Sequence, residues 1–125
     1  MRRFLWAMAL VAAGCGGNSA HVEVPVGAWG GHNVRLTVSA GDVQAAFKCG
    51  ATGSITRSLM LDSMGRFEAD GTYTSALVQG GPQPAHYSGS ISGGTMKLTI
   101  TEGGNEIGSF DLALDASASF DPCNF

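Results

Sequence analysis

The feature that most constrains this chain is an apolar–polar alternation of period two, cut every six to ten residues by a glycine-rich turn. Val34, Leu36 and Val38 alternate with Arg35, Thr37 and Ser39, and Ala40-Gly41-Asp42 then breaks the run. Val43, Ala45, Phe47 and Cys49 follow on one face, opposite Gln44, Ala46 and Lys48, before the loop Gly50-Ala51-Thr52-Gly53. Ile55, Leu59 and Leu61 continue the pattern, with Arg57 as an exception, up to the turn Asp62-Ser63-Met64-Gly65. Phe67, Ala69, Gly71 and Tyr73 alternate with Glu68, Asp70 and Thr72. The longest loop is expected over 76–85, where Gly80-Gly81-Pro82 and Pro84 lie. Tyr87, Gly89 and Ile91 precede Gly93-Gly94; Met96, Leu98 and Ile100 precede Gly103-Gly104-Asn105. Gly108, Phe110, Leu112 and Leu114 form a further strand, and a final segment with Phe120 runs to Cys123.

Successive strand residues point to opposite faces, so each run buries one face and wets the other. Short connections make sequential strands antiparallel neighbours. The pattern therefore predicts an all-β antiparallel meander of seven to eight strands. An open meander would keep two edges and an uncovered apolar face. Closure into a small barrel removes both, and a two-sheet sandwich is the runner-up. No stretch beyond the first residues has helical periodicity, and no internal repeat is evident.

The first residues follow another rule. Met1-Arg2-Arg3 is basic, Phe4 to Ala13 is apolar, and Ala12-Ala13-Gly14 places small residues before Cys15. The apolar run is too short to span a bilayer and has the form of a signal-peptide core. Residues 1–14 thus read as a removable export signal, 15–26 as a segment that opens at Cys15 and continues as a flexible tether, and 27–125 as a single all-β domain. Gly16-Gly17-Asn18-Ser19-Ala20 has linker composition.

Cys49 and Cys123 remain once Cys15 is set apart with the export signal. Two cysteines allow one pairing, and an oxidising compartment favours a disulfide between them. The signal would carry away two of 7 basic residues, leaving 5 against 10 acidic ones and a net charge of about −5. No basic footprint for nucleic acid exists, and attraction to anionic lipid is not expected.

The segment before Cys15 resembles the bacterial lipobox, in which the cysteine receives diacylglycerol. The resemblance implies membrane attachment through Cys15 and, with Gly16 in place of aspartate, sorting to an outer membrane where the cell has one. Gly27-Ala28-Trp29 is similar to the G-x-W signature of lipocalins. That implies a calycin-like barrel with Trp29 plugging one end; the arginine and C-terminal helix of that family have no counterpart here. Trp29-Gly30-Gly31-His32, Gly65-Arg66-Phe67, Gly71-Thr72-Tyr73, Gly80-Gly81-Pro82, Tyr87-Ser88-Gly89, Thr95-Met96 and Cys123 resemble a group of small uncharacterised exported bacterial proteins. In that group a Cys-Ala-His-Gly stretch is expected near Cys49; this chain has Cys49-Gly50-Ala51-Thr52-Gly53.

Chemistry-bearing residues are few. His21, His32 and His86 lack the companions of a metal site, so no metal or other cofactor is expected. Glu68 and Asp70 share an outward strand face, where carboxylates are more often solvated than catalytic. Ser88, Ser90 and Ser92 lie outside any G-x-S-x-G elbow. Trp29, Tyr73 and Tyr87 could line a ligand mouth, although packing is the commoner role of such residues. The expected function is a non-catalytic binding or structural module of the cell envelope. Its partner would be an envelope protein or glycan. The alternative is a carrier of a small apolar ligand within a lipocalin-like barrel. The large inward side chains predict a filled interior.

Overall fold

A computed structural model describes residues 22–76 and 81–123. The segment 1–14 read above as an export signal, together with Cys15 and His21, lies outside the described residues. Among the described residues there are ten strands: β1 Val22–Glu23, β2 Gly27–Gly31, β3 Val34–Ser39, β4 Asp42–Phe47, β5 Thr52–Ile55, β6 Met60–Leu61, β7 Arg66–Thr74, β8 Gln83–Ser92, β9 Thr95–Glu102 and β10 Asn105–Leu114. Eight of them close an antiparallel barrel in the order β2-β3-β4-β5-β7-β8-β9-β10, with β10 returning to β2. The barrel replaces the sandwich alternative. β1 and β6 form a separate two-stranded ladder.

The alternation translates directly into burial. Val34, Leu36, Val38, Val43, Ala45, Phe47, Ile55, Phe67, Ala69, Tyr87, Met96, Leu98, Ile100 and Leu112 point inward and are buried. An eight-stranded barrel is just wide enough for side chains to fill. Here the fill includes Trp29 and Tyr87, the largest of the fully buried side chains.

Two turns illustrate how residue type sets the connections. Gly103 and Gly104 both have positive φ (61° and 87°), the backbone of a two-residue hairpin between Glu102 and Asn105. Asp62 organises the other: its Oδ1 accepts from the backbone N–H of Met64 at 2.8 Å and of Arg66 at 2.9 Å.

Four sequence expectations change. The segment 22–26 belongs to the domain and not to a tether. Val24 is buried, its N–H donates to the Leu59 carbonyl at 2.9 Å, and Val22 and Glu23 pair with Leu61 and Met60. The run from Ile55 to Leu61 is not one strand: β5 ends at Ile55, and the chain leaves the barrel to reach β6. Arg57 breaks the alternation because it sits in that exit and is exposed. Cys49 lies beyond the inward face of β4, in the 3-10 turn Lys48–Gly50, with φ +65°. Finally, Gln83–Ala85 is strand and not loop. There β8 pairs with β7 alone, since pairing with β9 ends at His86, so Pro84 removes no ladder hydrogen bond.

The barrel consists of two meanders, β2–β5 and β7–β10, joined by two seams of three residue pairs each. At one seam Thr52, Gly53 and Ser54 face Thr74, Tyr73 and Thr72. At the other Gly31, Gly30 and Trp29 face Leu112, Ala113 and Leu114. The two ends also differ. One, the cap end, carries the β1–β6 ladder with Val24, Leu59 and Trp29 beneath it. The other, the arm end, receives the C-terminal arm.

That arm turns back after Leu114, through Asp115 at φ +63°, and follows the outside of β2. Asn33 N–H donates to Ser119 O at 2.6 Å, and Ser119 N–H to Gly31 O at 3.1 Å. The Cys49–Cys123 disulfide ties it down across a sequence separation of 74. The motif Trp29-Gly30-Gly31-His32 is thereby explained as a docking track. A Cβ on Gly30 would strike the Ala116 carbonyl, and His32 Nε2 lies 3.0 Å from Asp121 Oδ2.

Candidate functional site

The three aromatic residues singled out in the sequence are not brought together. Trp29 is fully buried at the cap end, where Nε1 donates to the Pro25 carbonyl at 3.1 Å. Tyr87 is buried inside the barrel. Its hydroxyl donates to the Thr72 carbonyl, and burial, with a smaller contribution from Tyr73, pushes its pKa up to about 12. Both are packing groups. Tyr73 alone is half-exposed, at the arm end, with its ring centroid 5.5 Å from that of Phe47; Phe110 lies 5.6 Å from Phe47 on another side. Burial first, and Glu102 second, raise the Tyr73 pKa.

The outer face of β7–β9 presents a different surface. Register fixes it in three rows. Arg66, Ser90 and Lys97 form the first, Glu68, Ser88 and Thr99 the second, and Asp70, His86 and Thr101 the third. Short serines on β8 run between longer side chains on β7 and β9, so the middle strand becomes the floor of a trough. The backbones of Arg66 and Lys97 stand two strand spacings apart, about 10 Å. The groove has a volume of about 660 Å³, is open to solvent along its length, and is lined by these first two rows together with Met60, Asp62, Phe67 and Gly89.

Its charges alternate in sign. Arg66 Nε is 3.7 Å from Asp62 Oδ2, and Lys97 Nζ is 3.0 Å from Asp111 Oδ1. Thr99 and Ser109 hydroxyls are 3.1 Å apart. Donors and acceptors are therefore interleaved around the first row, where Arg66 and Lys97 each stand beside a carboxylate.

The third row holds an arrangement that the sequence reading missed. His86 Nδ1 lies 2.9 Å from Asp70 Oδ1, and Nε2 lies 3.0 Å from Glu68 Oε1. Both ring nitrogens can donate only in the imidazolium, so the carboxylates favour the charged form. The Asp70 hydrogen bond is the main cause of a raised His86 pKa, with Glu68 adding to it and partial desolvation opposing it. Glu68 and Asp70 were legible as an outward pair. His86 joins them only through the β7–β8 register, which the intervening loop concealed. Among the described residues, no group of three or more His, Cys, Asp or Glu side chains is placed to hold a metal ion.

Comparison with protein-family models, with curated proteins and with solved structures returns no match. The site must be read from its own geometry.

Proposed function

We propose that this protein is an exported, lipid-anchored, non-catalytic binding module of the cell envelope, and that the outer groove of β7–β9 takes an uncharged glycan strand. The observation that carries this reading is the contrast between a barrel interior occupied by side chains and an exterior groove of about 660 Å³. A ligand pocket has a volume of this order, roughly 300–1,000 Å³. The groove's chemistry selects the ligand class. A sugar hydroxyl donates one hydrogen bond and accepts others, so adjacent hydroxyls need neighbouring donors and acceptors. Arg66 beside Asp62, Lys97 beside Asp111, and Ser88 and Ser90 between them supply that alternation. An anion placed between Arg66 and Lys97 would also meet Asp62 and Asp111, and a cation would meet the two basic groups. The lipobox resemblance at Cys15 and the Cys49–Cys123 disulfide support an exported setting.

Amide resonances provide the test. Soluble N-acetylglucosamine oligomers should shift the Ser88, Ser90 and Thr99 signals saturably, with a dissociation constant on the order of 1 mM, as befits a shallow polar groove. Ser90→Phe should abolish the shifts while leaving the buried Leu98 and Ile100 signals in place. Unperturbed groove signals at saturating oligosaccharide would end the glycan reading.

The alternative, carriage of a small apolar ligand, is favoured by one observation. Phe47, Tyr73 and Phe110 form a partly exposed aromatic cluster at the arm end. A fluorescent apolar probe binding one-to-one, with shifts at these three residues instead of in the groove, would select that function.

A further inference from the structure

Four of the five exposed large hydrophobic side chains among the described residues lie at the cap end. Val22 is 60% exposed, Val26 61%, Met60 39% and Met64 71%; the fifth, Phe120, is on the C-terminal arm. Exposed apolar side chains scattered singly need no explanation, but their concentration at one end of a barrel does. Val22 and Met60 belong to the β1–β6 ladder, Val26 leads into β2, and Met64 occupies the turn before β7. The ladder and the Val24–Leu59 hydrogen bond fix this end to the barrel.

The chain itself indicates what covers that surface. Cys15 precedes Val22 by seven positions. Seven residues reach at most about 25 Å when fully extended. An acyl chain on Cys15 would therefore hold the cap end, and not the arm end, against the bilayer. We infer that the cap end of the barrel is a lipid-facing surface, with Val22, Val26, Met60 and Met64 seated in the membrane interface. This rests on the lipid-anchor reading of Cys15. Arg57 and Arg66 stand at the same end and can reach lipid phosphates, while Glu23 and Asp62 offset them. Charge thus supplies little net attraction, and apolar contact sets the orientation once the anchor has brought the end close. Four side chains without the acyl chains would not hold the protein on a membrane. The orientation leaves the aromatic cluster and the disulfide facing away from the lipid, and it brings the cap-side edge of the groove, where Met60, Asp62 and Arg66 lie, down to the interface while Glu68, Ser88 and Thr99 stay on the barrel's flank.

The methionines make the inference directly testable. Once residues 1–14 are removed, Met60 and Met64 are cap-end probes, and Met96, 1% exposed, is an interior control. The lipidated chain, labelled with methyl-13C methionine, is reconstituted into phosphatidylethanolamine–phosphatidylglycerol vesicles. These vesicles carry a lipid with a nitroxide near the headgroup end of its acyl chain. The Met60 and Met64 methyl signals should lose intensity several-fold more than Met96. Equal attenuation of all three, in protein that co-floats with the vesicles, overturns the lipid-facing cap while leaving the anchor intact. Failure to co-float overturns the anchor and the inference with it.

Discussion

The two seams of the barrel have the same length and opposite construction. Where β5 meets β7, three residue pairs are held chiefly from inside. Tyr87 crosses the interior to donate its hydroxyl to Thr72, and Gly53 leaves room for that ring because a Cβ there would strike the phenol oxygen; on the outer face the Ser54 and Thr72 hydroxyls add a contact at 3.0 Å. Where β10 meets β2, three pairs are held from outside. The C-terminal arm lies along β2, its hydrogen bonds gather around Asn33, and the disulfide fixes its end. The first device uses residues already within the meander. The second uses a segment outside the barrel, the arm that follows Leu114. A barrel must close its first strand on its last, and that closure joins residues far apart in sequence. Its loop-closure entropy is the largest in the fold. A covalent tie near the end of the chain reduces that cost, whereas the local seam does well enough with one buried hydrogen bond.

The largest difference between the seams should appear on removing the disulfide. In the chain-entropy description, a crosslink closing a loop of this size stabilises by about 4 kcal/mol. Replacing Cys49 and Cys123 with serine should lower the urea-unfolding free energy by roughly that amount, since the arm's hydrogen bonds alone order a short segment. Hydrogen exchange should localise the effect: amides of Gly30 and Ala113 should exchange faster, and those of Gly53 and Tyr73 should respond only through global unfolding. Equal acceleration at both seams would mean that the arm stabilises the barrel as a whole and not its closing seam.

Tyr87→Phe addresses the inner seam. It leaves the ring in place but strips the Thr72 carbonyl of a buried donor, a loss of about 1–2 kcal/mol. The same residue gives that seam an alkaline signature. The folded phenol has a pKa near 12 against the ordinary value of 10.0, so the fold favours the protonated form. The contribution is complete below pH about 10 and declines as pH rises toward about 12, as the unfolded chain releases a proton that the folded one retains. Urea midpoints measured across that interval should fall more steeply for the wild type than for Tyr87→Phe. Parallel curves would show that the phenol is not held protonated by the fold.

How much of this was legible in the sequence follows from the range of the interactions. The meander, the barrel, the inward set from Val34 to Leu112 and the pairing of Cys49 with Cys123 all follow from local alternation, short turns and simple counting. The exit at Arg57 left a trace, since a charged residue where the alternation wants an apolar one marks the end of a strand. The cap strand β1 left almost none: Val22 and Val24 alternate over too few residues to stand out. Nor could the groove be read, since it exists only where the register sets Ser88 and Ser90 between Arg66 and Glu68 on one side and Lys97 and Thr99 on the other. The partnership of His86 with Glu68 and Asp70 failed for the same reason. Expecting loop through Ala85 hid three residues of strand, and with them the alignment that brings His86 opposite Asp70. Face assignments are local information, whereas sites assembled across strands require register.

The smallest expected effect separates the seams at the other end of the pH scale. Asp121 accepts from Asn33 Nδ2 at 3.1 Å and lies 3.0 Å from His32 Nε2, while its own N–H donates to Asn33 Oδ1 at 2.8 Å. The Asn33 hydrogen bond, aided by the nearby His32, holds its carboxyl below the ordinary 3.8. A depressed carboxylate pKa stabilises the fold fully above the unfolded value and loses that contribution as pH falls through the folded one. The arm seam should therefore loosen in acid. The inner seam, built on Tyr87, Thr72 and Ser54, has no group that titrates there. The carboxyl is solvent-exposed, so the change should be a slight one, visible as faster exchange at Asn33 and Ser119 below pH about 4 and as a small drop in urea midpoint. Asp121→Asn keeps a carbonyl oxygen to accept from Asn33 and removes the titration. It should flatten the acid limb at the arm while leaving the Tyr87-dependent alkaline limb unchanged. An acid limb that survives in Asp121→Asn would place the titrating group elsewhere and reduce the arm's polar contacts to passive companions of the disulfide.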